Sequence, residues 1–152
     1  MKISQTDNYE TIAKMNEHVQ EIHTSLYPKY FKEYNYPAVA EFFKGIVGKP
    51  QYIFLLLEED EPIGYAWIEK KAYPENAFKK QCLSVYVHQI SIIESYKHKG
   101  YGSTLMDEIE HIAREIGAET LELDYWVDNA AARDFYKKKG FTLAREFVEK
   151  EI

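Results

Sequence analysis

Cysteine is nearly missing from this 152-residue chain: it has one, Cys82. No disulfide can form within the chain, which fits a reducing compartment. A nucleophilic thiol needs a neighbour that lowers its pKa, and the residues around Cys82 offer none. A half-buried strand thiol is expected instead. The histidines, at 18, 23, 88, 98 and 111, do not show zinc-ligand spacing, so no metal is expected. Long apolar runs are missing too. The longest, Ile53 to Leu57, is far too short to span a bilayer. The opening Met1-Lys2-Ile3-Ser4-Gln5 lacks the apolar core of a secretion signal. A soluble, cytoplasmic protein with no membrane partner is expected. There is no basic stripe, and the formal net charge is -6, which argues against a nucleic-acid partner. Repeats, low-complexity tracts and Gly/Ser linkers are also lacking, so residues 1–152 read as a single domain.

What remains is the balance of a globular protein, 45% apolar and 29% charged. Residues 2–4 read as a short first strand. Asp7 stands where a helix cap would, followed by Ile12, Met15, Val19 and Ile22 at helical spacing. Pro28 and Pro37 bracket an aromatic stretch expected as loop or short helix, and residues 39–46 read as a second helix ended by Gly48 and Pro50. Residues 52–57 and 63–73 form a hairpin around the turn at Glu59-Asp60-Glu61-Pro62. Residues 83–93 are a long strand. A helix starts near Gly100, with Leu105, Ile109, Ile112, Ala113 and Ile116 on one face, and stops at Gly117. Residues 120–126 are a strand, 130–138 a short helix closed by Gly140, and 141–150 a last strand or two. This order predicts a mixed α/β domain around one central sheet.

The segment joining the long strand to the third helix carries the most chemistry. A helix start presents unpaired N–H groups and a positive dipole end, a ready site for an anion. Gly100 and Gly102 let a phosphate approach the backbone closely, and Lys97, His98 and Lys99 add positive charge. Three readings compete: a tight turn alone, a dinucleotide fingerprint with Asp124 on the ribose, or a coenzyme A pyrophosphate site. The dinucleotide reading lacks its third glycine, since Leu105 stands there. A Walker loop is excluded, because no Gly-Lys-Ser/Thr ends the segment.

Lys97-His98-Lys99-Gly100-Tyr101-Gly102 resembles the pyrophosphate motif of the GNAT superfamily of N-acetyltransferases: Arg or Gln, two residues, Gly, one residue, Gly or Ala. Lys97 replaces the usual Arg or Gln. A second segment, from Asn129 through Ala132, Phe135 and Tyr136 to Gly140-Phe141, is similar to the family's other signature at every fixed position. The resemblance spans roughly Leu83 to Phe141. It implies a three-layer acyl-CoA N-acyltransferase fold, a mostly antiparallel sheet flanked by about four helices. It further implies acetyl-CoA as acyl donor, a primary-amine acceptor, direct transfer in a ternary complex, and a possible homodimer. The backbone of Ile90, Ser91 and Ile92 would pair with the pantetheine arm, and an N–H near Ile92 would steady the oxyanion. The amides of His98, Lys99, Gly100, Tyr101, Gly102 and Ser103 would hold the pyrophosphate, with Lys97 beside them.

Asn129 can cap its helix, bind a ligand amide, or both. Tyr136 is either a core tyrosine or the acid that protonates the leaving thiolate. The base that takes the ammonium proton is open among Asp124, His88 and Glu94. His88 is placed on the face of Ile90 and Ile92 by alternation. The aromatic stretch near residues 18–36 is either an acceptor wall, a packed lid or a dimer contact. A non-catalytic acyl-CoA-binding module is the rival from another class. It would keep the glycine turn but would not need Tyr136.

Overall fold

The computed structural model describes residues 1–152. Five strands form one sheet in the order β1 (Lys2–Gln5), β2 (Tyr52–Glu58), β3 (Pro62–Tyr73), β4 (Cys82–Ile92), β5 (Thr120–Glu122). The first four run antiparallel to their neighbours, and β5 is parallel to β4. That parallel pair needs a crossover, which α3 (Tyr101–Glu115) supplies. The layers are therefore α1 (Tyr9–Leu26) and α2 (Tyr36–Lys44) on one face of the sheet and α3 on the other, with α4 (Ala130–Lys138) beside α3.

The sequence of β2 shows why the sheet is sandwiched. In Ile53-Phe54-Leu55-Leu56-Leu57 every residue is buried, because Phe54 and Leu56 face the α1/α2 layer while Ile53, Leu55 and Leu57 face α3. A strand covered on both faces reads as a continuous apolar run. On the α3 side, Leu105, Met106, Ile109 and Ala113 fill the core against Val85 and Val87.

Caps fix the helix starts, and here two expectations are corrected. The cap of α1 is Asn8, whose side chain accepts from the Thr11 amide at 3.1 Å. Asp7 lies one residue too early to reach that amide. In α2, Asn35 caps the Ala38 amide at 3.0 Å and Pro37 sits in the first turn, where its missing N–H costs nothing. The helix thus begins at Tyr36 rather than at Val39 and ends at Lys44. The loop before it, residues 28–35, is tied to α1 by Tyr34 Oη donating to the Ala13 carbonyl at 2.6 Å and Gln20 Nε2 to that of Lys32 at 2.6 Å.

Two strand expectations also change. β5 stops at Glu122, not Trp126, and residues 142–152 form no strand. No backbone group in 142–152 bonds to the rest of the chain, because a strand exists only where another edge pairs with it. No helix is long and apolar enough to cross a membrane.

Candidate active site

The site begins with one extra residue in β4. Trp67 pairs with Gln89 and its successor Ile68 with Val87, so His88 has no partner and forms a β-bulge. A bulge bends its strand and shifts the alternation of side chains by one. Val85 and Val87 accordingly point into the α3 core, and so do Ile90 and Ile92 after the bulge. His88 and Gln89 both turn to the α1/α2 face. His88 stacks on Trp67 at 4.3 Å and bonds Glu69 at 2.7 Å. The placement of His88 beside Ile90 and Ile92 is thus corrected: simple alternation fails at the bulge.

β4 and β5 separate at this point. They pair only from Ser84↔Thr120 to Tyr86↔Glu122, and beyond it the edge of β4 from Val87 to Ile92 is open. Amides along a strand point alternately to its two edges. Ile93 donates to the Ile63 carbonyl of β3 at 2.9 Å, so the Ile92 amide faces the open side. A buried network holds this edge from behind. Tyr65 Oη donates to Gln89 Oε1 at 2.7 Å, and Asn16 Nδ2 lies 3.1 Å from both oxygens. It links α1, β3 and β4. Burial pushes the Tyr65 hydroxyl pKa well up, so it stays a proton donor.

The open edge leads to the start of α3. His98 and Gly100 adopt left-handed backbone, φ 61 and 87, and no side chain caps the helix. The amides of His98, Lys99, Gly100, Tyr101, Gly102 and Ser103 donate to no protein acceptor, and the first helical bond runs from Thr104 to the Gly100 carbonyl at 3.0 Å. Six free amides at a positive helix end make an anion cradle. At Gly100 the left-handed backbone itself calls for glycine. Lys97 is less available than the sequence implied, because its ammonium lies 3.1 Å from the Glu94 carboxylate and 2.6 Å from His18 Nε2. His18 is held toward its neutral form by burial and by Lys97. Glu94 is drawn into this surface cluster and its pKa is lowered by the Lys97 hydrogen bond, which leaves it poorly suited to act as a base.

α4 closes the other side. Asn129 caps it, its Oδ1 accepting from the Ala132 amide at 3.2 Å. The ring of Phe135 lies where a Cβ on Gly102 would touch it at 3.5 Å, so α4 is packed against the first turn of α3. Tyr136 sits among Tyr125, Phe135 and Phe141, with ring centroids 6.0, 5.3 and 5.7 Å away. Burial, and secondarily the charge of Asp124, push its hydroxyl pKa up to about 12. That hydroxyl has no protein partner, yet it is not among the sealed, unsatisfied polar atoms, so it reaches solvent. Asp124 lies just past the end of β5 and accepts a hydrogen bond from Tyr86. Its charge and the Tyr136 hydroxyl thus share one region, whereas Glu94 belongs to the His18–Lys97 cluster.

Sequence reading missed Tyr86, the Asn16–Tyr65–Gln89 network and the bulge. The bulge had left a signal: the apolar positions 85 and 87 are odd, while 90 and 92 are even, with His88-Gln89 at the slip. The segment between β5 and α4 also meets the aromatic stretch. Trp126 contacts Tyr27, Tyr30 and Phe31 at 4.5 to 5.7 Å, and Tyr27 Oη bonds Asp128 at 2.9 Å. No group of three His, Cys, Asp or Glu residues is placed to hold a metal ion.

Comparison with known proteins points the same way. Over its full length the chain superposes on the BH1408 protein of Bacillus halodurans with a TM-score of 0.93, at 21% identity, covering 100% of this chain and 99% of that one. An aminoglycoside 6'-N-acetyltransferase from Acinetobacter haemolyticus superposes at 0.74 and 14% identity, covering 100% and 99%. In sequence, the chain is 29% identical over 98 residues to YycN of Bacillus subtilis, an uncharacterised N-acetyltransferase, and the match covers 64% of this chain and 59% of that protein. It is 26% identical over 92 residues to N-alpha-acetyltransferase 30 of Schizosaccharomyces pombe, covering 60% and 58%. The matches thus span under two thirds of these curated relatives' lengths. The pattern of the acetyltransferase (GNAT) family extends over residues 16–141, from the buried Asn16 to the Phe141 ring beside Tyr136. With the split between β4 and β5, the bare start of α3 and the packed α4 all inside that span, the chain belongs to the acetyltransferase (GNAT) family.

Proposed function

We propose that the protein is an N-acetyltransferase that moves the acetyl group of acetyl-CoA to a primary amine by direct attack in a ternary complex. The observation that carries this reading is the presence of two stretches of unpaired backbone joined by one short turn, the open β4 edge at Ile90–Ile92 and the six free amides of residues 98–103. An extended amide-bearing arm can add to such an edge as a strand does, and a pyrophosphate suits the amide cradle. The residues present fit coenzyme A on both counts. Bound there, acetyl-CoA supplies the activated thioester. Both activities named for the relatives above, N-alpha-acetylation and aminoglycoside 6'-N-acetylation, place acetyl on nitrogen.

The chain's own groups then have distinct tasks. The Ile92 amide faces the open side and steadies the negative oxygen that develops on the carbonyl. Asp124, held by Tyr86, receives the proton that the ammonium must lose before nitrogen attacks. Tyr136 gives its phenolic proton to the departing thiolate and recovers one from solvent. Asn129 Oδ1 is spent on the helix cap, which leaves its Nδ2 for a ligand carbonyl.

Thermal unfolding tests the cofactor. At one hundred times its dissociation constant, acetyl-CoA should add roughly 2.7 kcal/mol, a rise in Tm of about 5–11 °C for a chain of this size. NADH should add nothing. No shift with millimolar acetyl-CoA would remove the proposal.

The pH profile tests the acid. With its pKa raised, Tyr136 stays protonated, and so able to donate, until pH approaches about 12. The rate should therefore climb with pH as the amine acceptor, pKa about 10.4, loses its proton, and show no alkaline fall below about pH 10. A falling limb centred near pH 8 would assign the proton donor to another group.

A further inference from the structure

Lys97 stands one residue before the first free amide of the cradle, yet its ammonium is held elsewhere. It lies 2.6 Å from Nε2 of His18 on α1 and 3.1 Å from the Glu94 carboxylate, and His18 Nε2 is itself 3.6 Å from that carboxylate. The three side chains close a triangle between α1 and the turn that follows β4. Here the ammonium donates and the imidazole accepts, so Nε2 carries no proton. A proton on it would set two cations in contact, so His18 and Lys97 exclude each other's charge while they touch. The charged groups that face His18 are Glu21 from its own helix and Glu94 and Lys97 from the turn; burial and Lys97 outweigh the two carboxylates and hold the imidazole toward its neutral form. Against this, Glu94 offers the ammonium one negative charge and is 75% exposed. A pyrophosphate in the cradle would offer two, beside the residue that carries the ammonium.

We propose that Lys97 changes partners: as acetyl-CoA fills the cradle, the ammonium leaves His18 for the pyrophosphate, and His18 takes a proton from solvent onto Nε2 and pairs with Glu94. His18 is thus a positioning residue. It keeps Lys97 against α1 in the free protein and, once protonated, keeps α1 tied to Glu94 in the complex. α1 also carries Asn16 of the buried network behind the β4 edge, so the helix that supports that edge stays attached in both states. This exchange rests on the cofactor reading above and makes that site responsive to pH. Departure of Lys97 removes the charge that opposes protonation and leaves Glu94, which favours it, so the bound state holds the proton more tightly than the free state. Around the ordinary histidine value of about 6.5, affinity for the cofactor therefore rises as pH falls, by at most about tenfold per pH unit.

Calorimetric titration with acetyl-dephospho-CoA tests the exchange. This ligand keeps the pyrophosphate but lacks the 3'-phosphate, whose own pKa of about 6 would add to the proton count. In two buffers of different ionisation enthalpy near pH 6.5, the wild type should take up a substantial fraction of one proton per ligand bound. His18→Gln keeps an amide oxygen for Lys97 but cannot take the proton, so it should bind while losing most of the uptake and most of the rise in affinity at low pH. His98→Asn suits the left-handed backbone at that position and should retain the uptake, which separates His18 from the histidine inside the cradle. Wild-type binding without uptake, uptake undiminished in His18→Gln, or uptake lost in His98→Asn would each overturn the exchange and leave the cofactor reading standing. Absence of binding at every pH would overturn both.

Discussion

Replacing Tyr136 with phenylalanine is expected to lower the rate of acetyl transfer by the 10²–10⁴-fold typical of general acid–base catalysis, and to leave acetyl-CoA affinity and Tm unchanged. The structure makes this separation unusually clean. The ring of Tyr136 packs against Tyr125, Phe135 and Phe141, and phenylalanine keeps those contacts. The hydroxyl bonds no protein group, so its removal leaves no donor or acceptor stranded in the fold. A lost rate can then be assigned to chemistry. Steady-state kinetics with a found acceptor, beside calorimetric titration of acetyl-CoA, decides the matter. A loss smaller than tenfold would make Tyr136 a packing residue and assign the proton donor to another group.

The second large effect is expected at a residue with no side chain. Gly64 faces Ile92 across the β3–β4 pair, where a Cβ would lie 2.5 Å from Ile92 Cδ1 and 2.9 Å from the Ser91 carbonyl oxygen. The Ile92 methyl can rotate away. The Ser91 carbonyl cannot, because it is part of the strand. Gly64→Val must therefore push β4 outward at the edge proposed to hold the pantetheine arm. Overpacking of this kind costs about 1–3 kcal/mol, or a fall in Tm of about 2–12 °C. Acetyl-CoA should also bind more weakly, although residue 64 itself lies in the strand behind that edge. Gly64→Ala should move both quantities the same way by less. Urea unfolding and titration measure them, and a valine variant with unchanged Tm and affinity would show that β4 yields at no cost.

What could be read from the sequence was what is decided locally. Gly100 and the free amides around it, the Asn129 cap, the amphipathic face of α3 and the short helix α4 depend on residues within a turn or two of each other. They lie where expected. Asp7 was mistaken for Asn8 because capping turns on a single position, and any small polar residue near a helix start gives the same signal. Pro37 read as a loop marker and is a first-turn proline. Distance along the chain set the harder limit. Asn16, Tyr65 and Gln89 meet across three elements, and nothing in their spacing announces it. The tail reads as a strand by composition, but pairing belongs to two edges and only one of them is in the tail. His88 failed for a different reason: alternation was applied across the one residue that breaks it.

That unpaired residue gives the site an arithmetic of its own. Because His88 adds one to the count of β4 and none to β3, the strand bends at this point only as long as the surplus is kept. Exchange of the imidazole for another side chain preserves the count. Removal of the residue does not: Val87 and Gln89 would become successive partners of Ile68 and Trp67, the side chains on either side would keep their faces, and the straightened strand would run on beside the segment that follows β5. The opening between the two strands is thus encoded less by the identity of any amino acid than by their number. Drift by substitution can pass through this position, while a deletion meets a wall.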